Sequence, residues 1–321
     1  MIITSIILPV CAGLCIFLFG MKLMESALQQ WAGPYLHNIL QMFTRTPIRG
    51  LLAGTALTAV LQSSTAVTVI SIGLVNAGVL SFASTLGVIL GTNIGTCLST
   101  ELIGLGLEGM GLPILLVSSA VWLASWLPSN SAAAKRAWLL NVRWASLALC
   151  GFALVLLGVE IMQTIGAPLR ERGLFAWFVA AAQQSLLWGV VAGACVTALV
   201  HSSAATIALT MSLASIQAVS VELGIAIVLG ANIGTCVTAL IAAVGGTKAG
   251  RYVAWSHILL NVGGTLLFFP LIGLLFHITA WMTAGEAAQI ARAQTLFNIV
   301  CSVLALPLCY LNKWKNLEFR L

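Results

Sequence analysis

Two short polar strings interrupt long apolar runs: Gln62, Ser63, Ser64 and Thr65 in one, His201, Ser202 and Ser203 in the other. Asn93 follows Gln62 at the same spacing at which Asn232 follows His201, and each Asn opens an AsnIleGlyThrCys block (93–97 and 232–236). Hydroxyls and amides in this pattern suit two kinds of ligand. If each string sits where one helix stops and another starts, Ser63, Ser64, Thr65, Ser202 and Ser203 lie at the starting end. There, unpaired N–H groups and the positive end of the helix dipole favour an anion. The stopping ends, around Ala59–Leu61 and Ala198–Val200, free carbonyl oxygens. With the oxygens of Gln62, Asn93, Thr96, Asn232 and Thr235, these are hard ligands for a small cation, as at broken helices in membranes. His201 takes the place of Gln62 in the second string and is grouped with the cation residues. It either donates to a nearby carbonyl or meets the anion, and could add proton sensitivity near neutral pH. No Lys or Arg lies in either string, so helix ends and hydroxyls would have to hold the anion.

Composition says which elements can position such groups. The hydrophobic fraction is 60% and the charged fraction 7%, against roughly 25% charged in an average globular protein. Too few ionic groups exist to coat a water-soluble surface, which excludes a cytosolic enzyme, a disulfide-rich secreted domain and a disordered chain. The net charge of +6 comes from basic residues scattered between apolar runs, a pattern of loops flanking spans and not of a nucleic-acid surface. The eight cysteines show no CxxC or CxxH spacing and read as buried apolar residues, so no transition-metal site is expected. Runs of about 20 residues long enough to cross the hydrocarbon fall at 3–23, 80–105, 111–128, 138–160, 219–245, 252–276 and 292–311. The first lacks a basic start and a cleavage site, and is expected to be a retained span. Segments 49–78 and 188–217 carry the polar strings mid-way and read as broken helices or re-entrant hairpins lining a cavity.

The two strings belong to an internal repeat. Sliding the chain along itself until Gly54 meets Gly193 aligns 54–97 with 193–236 without a gap, with fifteen identities. A weaker match pairs LeuPheGly (18–20) with LeuLeuGly (156–158). If 49–78 and 188–217 dip in and return, an outside amino terminus leaves eleven Lys/Arg inside and only Arg170, Arg172 and Arg292 outside, which satisfies the positive-inside rule. The alternative, in which both segments cross, makes the ratio ten to four and the repeats parallel. The hairpin count makes the repeats inverted, an arrangement common in secondary transporters. The expected fold is an all-α integral membrane protein with about seven full spans and two re-entrant helical hairpins in two inverted repeats. A single transport domain fills 1–321: repeat one about 3–128, repeat two about 138–276, and an additional span at 292–311. The amino terminus is expected outside and the carboxyl terminus in the cytoplasm.

The doubled GlnSerSer-type string, followed at one fixed spacing by AsnIleGlyThr, resembles the type II sodium-dependent phosphate cotransporters, over residues 1–311. The resemblance implies a sodium-coupled symporter of inorganic phosphate in the cell membrane, working by alternating access, with Na⁺ as coupling ion and no other cofactor. It makes Ser63, Ser64, Thr65, Ser202 and Ser203 the phosphate group, and Gln62, Asn93, Thr96, His201, Asn232 and Thr235 the sodium group. Two departures stand out: His201 where the family usually has Gln, and Ala204 where a third hydroxyl is common. Many bacterial members append a PhoU-like cytosolic domain, and this chain is expected to be of the kind without it. A carrier or channel for another small anion is the alternative. An intramembrane hydrolase using Ser202 or Ser203 with His201 is disfavoured, because adjacent residues rarely aim as nucleophile and base and catalysis needs no second SerSer.

Other features mainly set the protein in the bilayer. Trp31, Trp122, Trp126 and Trp138 lie near span ends, as indoles favour the interface. Residues 25–46 suit an amphipathic surface helix, with a counterpart at 163–180. Glu101, Glu108, Glu160, Glu222 and Glu286 fall near span ends and are expected to be solvated or snorkelling. His257, Asn261 and Asn298 read as interhelical hydrogen-bonding residues.

Overall fold

The computed structural model describes residues 3–43, 46–127, 133–166, 168, 180 and 185–311. Among them every regular element is helical. A π-helical turn leads into α1 (Leu8–Phe43). There follow α2 (Pro47–Leu61), α3 (Ser64–Asn76), α4 (Phe82–Ile103), α5 (Gly111–Ala124) and α6 (Ala133–Gln163). After the undescribed stretch come α7 (Leu187–Val200), α8 (Ser203–Ser215), α9 (Val221–Ala243), α10 (Lys248–Phe268), α11 (Ile272–Met282) and α12 (Glu286–Ala305).

Among the described residues six stretches are long and apolar enough to cross a membrane: Thr4–Ala32, Phe82–Ile103, Trp138–Gln163, Val221–Ala243, Lys248–Met282 and Glu286–Tyr310. The protein is thus a multi-pass membrane protein, with one full-length span fewer than the seven expected. The difference lies at 111–128, where α5 has 14 residues, about 21 Å of helix against about 30 Å of hydrocarbon. Left-handed turns at Gly106 and Gly109 precede it. At its other end the Ser125 carbonyl accepts from the Arg143 guanidinium at 2.9 Å, and that group lies 3.7 Å over the Trp126 ring. In contrast, the span expected at 252–276 runs on through a 3₁₀ turn at Phe269–Leu271 into α11. Pro270 lacks the N–H that an unbroken helix would need.

The amphipathic segment at 25–46 continues α1 without a break as far as Phe43; its Leu36, Leu40 and Phe43 side chains lie outside the description, as does most of 163–180.

The chain forms two compact units: Met1–Tyr35 with Gly106–Gly173, and Leu36–Leu105 with Leu174–Leu321. In the first, α1 and α6 meet on glycines. A Cβ on Gly13 would lie 2.7 Å from the Gly158 carbonyl, and one on Gly20 2.6 Å from that of Gly151. Such small-residue seams let membrane helices approach closely.

The second unit holds both polar strings, and its packing is duplicated. Gly54 lies against the Val88 backbone and Gly193 against that of Ile227; Gly91 meets Leu51 and Gly230 meets Val190. A Cβ on Gly95 would sit 2.6 Å from the Thr55 carbonyl, and one on Gly234 2.5 Å from that of Ala194. Each partner in the second seam is the repeat equivalent of its counterpart in the first. The α2/α4 and α7/α9 pairs are therefore copies in packing as well as in sequence. The helix starts agree: the Ser81 hydroxyl accepts from Ser84 N to cap α4, and the Ser220 hydroxyl accepts from Leu223 N to cap α9.

Candidate functional site

Each polar string is a two-residue break between short helices. In the first, α2 ends on Gln62 in the left-handed region (φ 54°, ψ 28°), Ser63 is extended (φ −144°, ψ 97°), and α3 begins at Ser64. In the second, α7 ends on His201 (φ 56°, ψ 26°), Ser202 is extended (φ −146°, ψ 106°), and α8 begins at Ser203. A left-handed non-glycine residue is uncommon, so two at equivalent positions mark a built feature. Ser63 and Ser202 are the N-caps: their hydroxyl oxygens accept from Ala66 N and Ala205 N, each at 3.2 Å. This cap satisfies one orphan N–H of each helix.

The predicted anion residues thus divide into two roles. The oxygens of Ser63 and Ser202 cap the helices, although each hydroxyl keeps its proton to donate. Ser64 and Ser203 are half-buried in the first turns and Thr65 is exposed. Among the described residues, no hydrogen bond takes the hydroxyls of Ser64, Thr65 or Ser203. The two starting ends therefore present free donors and helix-dipole charge, with no Lys or Arg in either string.

Of the predicted cation residues, Gln62 is the most committed. Its Nε2 donates to the Ala59 carbonyl at 2.5 Å, and its Oε1 accepts from the Ser99 hydroxyl at 2.6 Å. One of the carbonyls expected to be open, Ala59, is thus occupied by the neighbouring side chain. Thr96 and Thr235 are equivalent: each hydroxyl donates back along its own helix, to Thr92 O at 2.8 Å and Ala231 O at 3.0 Å. Their oxygen lone pairs remain available to a cation. His201 is exposed, and no hydrogen bond to it occurs among the described residues.

Asn93 and Asn232 differ. Asn93 Oδ1 meets His257 Nε2 at 3.1 Å, and its Nδ2 donates to Asn261 Oδ1 at 3.0 Å, tying α4 to α10. Asn232 is 8% exposed and its Nδ2 turns back to Val228 O at 2.8 Å. His257 and Asn261, expected only as interhelical residues, therefore touch the motif itself.

Further polar contacts surround the first break. On the last turn of α4, Ser99 reaches Gln62, the Thr100 hydroxyl donates to Gln294 Oε1 at 2.5 Å, and Glu101 pairs with Arg292. The Thr295 hydroxyl donates to Glu101 Oε1 at 2.5 Å. Glu101, expected to be solvated or snorkelling, is instead partnered by α12, because the last turn of α4 lies against that helix. A separate cleft of about 430 Å³ lies between α4, α10 and α12, lined by residues such as Leu86, Leu259, Leu304 and Leu308. Its lining is mainly apolar, with Ser256, Cys301 and Cys309 as its polar or thiol side chains.

The chain matches the family model described as Na+/Pi-cotransporter over residues 16–164 and 171–307. It is 30% identical over 316 residues to the Bacillus subtilis uncharacterized protein YqeW, covering 98% of this chain and 97% of that one. It is 22% identical over 301 residues to the Escherichia coli putative inorganic phosphate export protein YjbB, covering 94% of this chain and 53% of the relative. The chain therefore spans about half that relative's length. The mouse sodium-dependent phosphate transport protein 2A shares 30% identity over 96 residues, 29% of this chain and 15% of that one. No solved structure matches. With the family model covering both copies of the helix break and both AsnIleGlyThrCys blocks, the chain belongs to the Na+/Pi-cotransporter family.

Proposed function

We propose that the protein is a secondary carrier that moves inorganic phosphate together with Na⁺ by alternating access. One observation carries the reading: the duplicated helix break, in which Gln62 and His201 share a left-handed backbone and Ser63 and Ser202 share a capping role. Two 13-residue helices, α3 and α8, then offer their positive ends, with Ser63, Ser64, Thr65, Ser202 and Ser203, to one phosphate. The oxygens of Gln62, Asn93, Thr96, Asn232 and Thr235, with His201 beside the second break, serve Na⁺. Binding a cation near the anion offsets its charge, so each ion raises affinity for the other, and that mutual effect is coupling.

In this reading α2/α3 and α7/α8 are re-entrant hairpins. Helices of 13–15 residues reach only about 20–22 Å, less than the hydrocarbon thickness. The repeats are inverted, the amino terminus is outside and the carboxyl terminus cytoplasmic, within one transport domain. This topology requires α5 to cross, with the turns on either side completing its length. The membrane and the two ions are the partners the reading requires, and it assigns no covalent chemistry.

The test is uptake of labelled phosphate into proteoliposomes under an inward sodium gradient, with choline as replacement at constant pH. Sodium-dependent, saturable phosphate uptake is expected. Uptake equal in choline overturns coupling, and uptake of sulfate in place of phosphate overturns the anion assignment.

A further inference from the structure

The helices that dock on the two AsnIleGlyThrCys blocks are themselves a matched pair. Along α10 and the turn after it stand His257, Asn261, Thr265 and Pro270; along α12 and its own following turn, in the same register, stand Gln294, Asn298, Ser302 and Pro307. Three sets of their contacts correspond. Asn261 Nδ2 donates to Cys236 Sγ at 3.2 Å, and Asn298 Nδ2 to Cys97 Sγ at 3.4 Å. The Cys236 thiol stands between its own-helix Asn232 O at 3.6 Å and His257 O at 3.7 Å, and the Cys97 thiol between Asn93 O at 3.4 Å and Gln294 O at 3.8 Å. The Thr265 hydroxyl donates to Leu229 O at 3.2 Å and the Ser302 hydroxyl to Leu90 O at 3.0 Å. Cys97 and Leu90 are the repeat counterparts of Cys236 and Leu229. So α10 docks on α9 as α12 docks on α4, and α12 completes the first copy's core although it comes last in the chain.

Among the described residues three links are made on one side only: His257 Nε2 on Asn93 Oδ1, Thr100 on Gln294 Oε1, and one between asparagines. Asn261 Oδ1 accepts from Asn93 Nδ2 at 3.0 Å. The equivalent link would run from Asn232 Nδ2 to Asn298 Oδ1. Asn232 Nδ2 instead donates to Val228 O, and Asn298 Oδ1 is buried with no partner among the described residues. The Asn298 amide cannot be reversed to hide this, because its nitrogen already donates to Gln294 O at 3.1 Å and an oxygen there would face another acceptor. Asn298 is 1% exposed, so bulk solvent does not reach the lone pair. A buried acceptor without a partner is costly, which leaves a structure that has one latch closed and the other open at a cost.

We propose that Asn261 and Asn298 are paired positioning residues that close alternately: Asn93–Asn261 in the state seen here, Asn232–Asn298 in the state facing the other side of the membrane. This rests on the reading of the protein as an alternating-access carrier. The exchange conserves the two asparagine Nδ2 donations, while the His257 contact at Asn93 Oδ1 is given up as Asn93 turns. As α9 and α12 adjust, Asn232 releases Val228 O and takes Asn298, while Asn93 releases Asn261 and turns to a carbonyl of its own helix. The two AsnIleGlyThrCys blocks, which carry proposed sodium oxygens, are thereby held in opposite registers in the two states. A difference in latch closure is the kind of differential contact a two-state equilibrium requires.

The test compares Asn261→Ala, Asn298→Ala and the double variant in proteoliposomes, reading the half-saturation for inorganic phosphate presented at each membrane face in turn. For a two-state carrier, depopulating one state raises half-saturation at its face and lowers it at the other. Asn261→Ala and Asn298→Ala are expected to shift the two constants in opposite directions, by roughly three- to twentyfold each, as interhelical hydrogen bonds in membranes allow. The double variant should return towards the wild-type ratio. Shifts in the same direction at both faces, or a lower maximal rate with unchanged half-saturation, would make both asparagines packing residues and overturn the proposal. Absence of saturable phosphate flux in the wild-type protein is a different failure, that of the carrier reading itself.

Discussion

Gln62 and His201, at equivalent positions of the two copies, hold the same left-handed backbone, at φ 54° and φ 56°. The backbone shape is kept although the side chains differ. At this point in each copy the break itself is therefore shared, and the side chain sets what the break does. Gln62 closes on Ala59 and Ser99, whereas the exposed His201 leaves its side open.

That separation of backbone from side chain gives the first prediction. Gln62→Gly and His201→Gly keep the conformation without steric penalty, while Gln62→Val and His201→Val force a β-branched residue into it. The valine variants should lose about 1–2 kcal/mol, seen as lower melting temperatures in detergent, and the glycine variants should lose much less. Gln62→Gly should still weaken sodium dependence, because the Ser99 contact goes with the side chain. Equal melting of the Val and Gly variants would remove the argument that the break is specified locally.

The second prediction concerns the free hydroxyls. Ser64→Ala and Ser203→Ala each take a donor from an anion that has few others, at about 1–3 kcal/mol or about ten- to a hundredfold in phosphate half-saturation. Ser118 is the control: it is buried on α5, its hydroxyl donates to Ile114 O at 2.6 Å, and Ser118→Ala should change transport little. By linkage, high sodium should recover Asn93→Ala better than Ser64→Ala. Unaltered half-saturation for both ions in all three site variants would reduce the breaks to packing.

Much of this site was legible in the chain because the polar strings are short, apolar on both sides and repeated at one spacing. That spacing located helix breaks within 62–65 and 201–203 and the paired blocks at 93–97 and 232–236, but not the capping role of Ser63 and Ser202. What could not be read was partner choice. A single asparagine such as Asn261 in an apolar helix announces that it needs a hydrogen bond without saying with whom. Its partner Asn93 is remote in the chain, and the pairing of Glu101 with Arg292 likewise joins α4 to α12. The correspondence of α10 with α12 was present, but its few shared residues, among them Asn261/Asn298 and Pro270/Pro307, sit among interchangeable aliphatics. The shortness of α5 was hidden for a related reason: hydropathy alone does not register the glycine turns and the Arg143 contact that bound it.

The third prediction addresses the seams. Gly95→Ala and Gly234→Ala each place a Cβ against backbone carbonyls that cannot withdraw without separating α2 from α4 or α7 from α9. Both should reduce folded yield and melting temperature. Gly73 on α3 has open space where its Cβ would go, and Gly73→Ala should be neutral or stabilising by up to about 1 kcal/mol through helix propensity. Size-exclusion profiles and thermal melts of the purified variants decide it; a tolerated Gly234→Ala would mean that the second seam is looser than the structure describes.

The last prediction is topological. If both broken segments return to the side they entered from, the turn before α5 is outside and the start of α10 is cytoplasmic. If both segments cross, both positions are cytoplasmic. Glu108 and Lys248 are exposed at these two places. Cysteines introduced singly as Glu108→Cys and Lys248→Cys, with the exposed Cys11, Cys15 and Cys195 replaced, can be reacted with an impermeant thiol reagent on intact cells. Labelling is expected at 108 and not at 248 until the cells are opened. Protection of both positions would favour parallel repeats and would remove the geometry in which two helix starts face one phosphate from opposite leaflets.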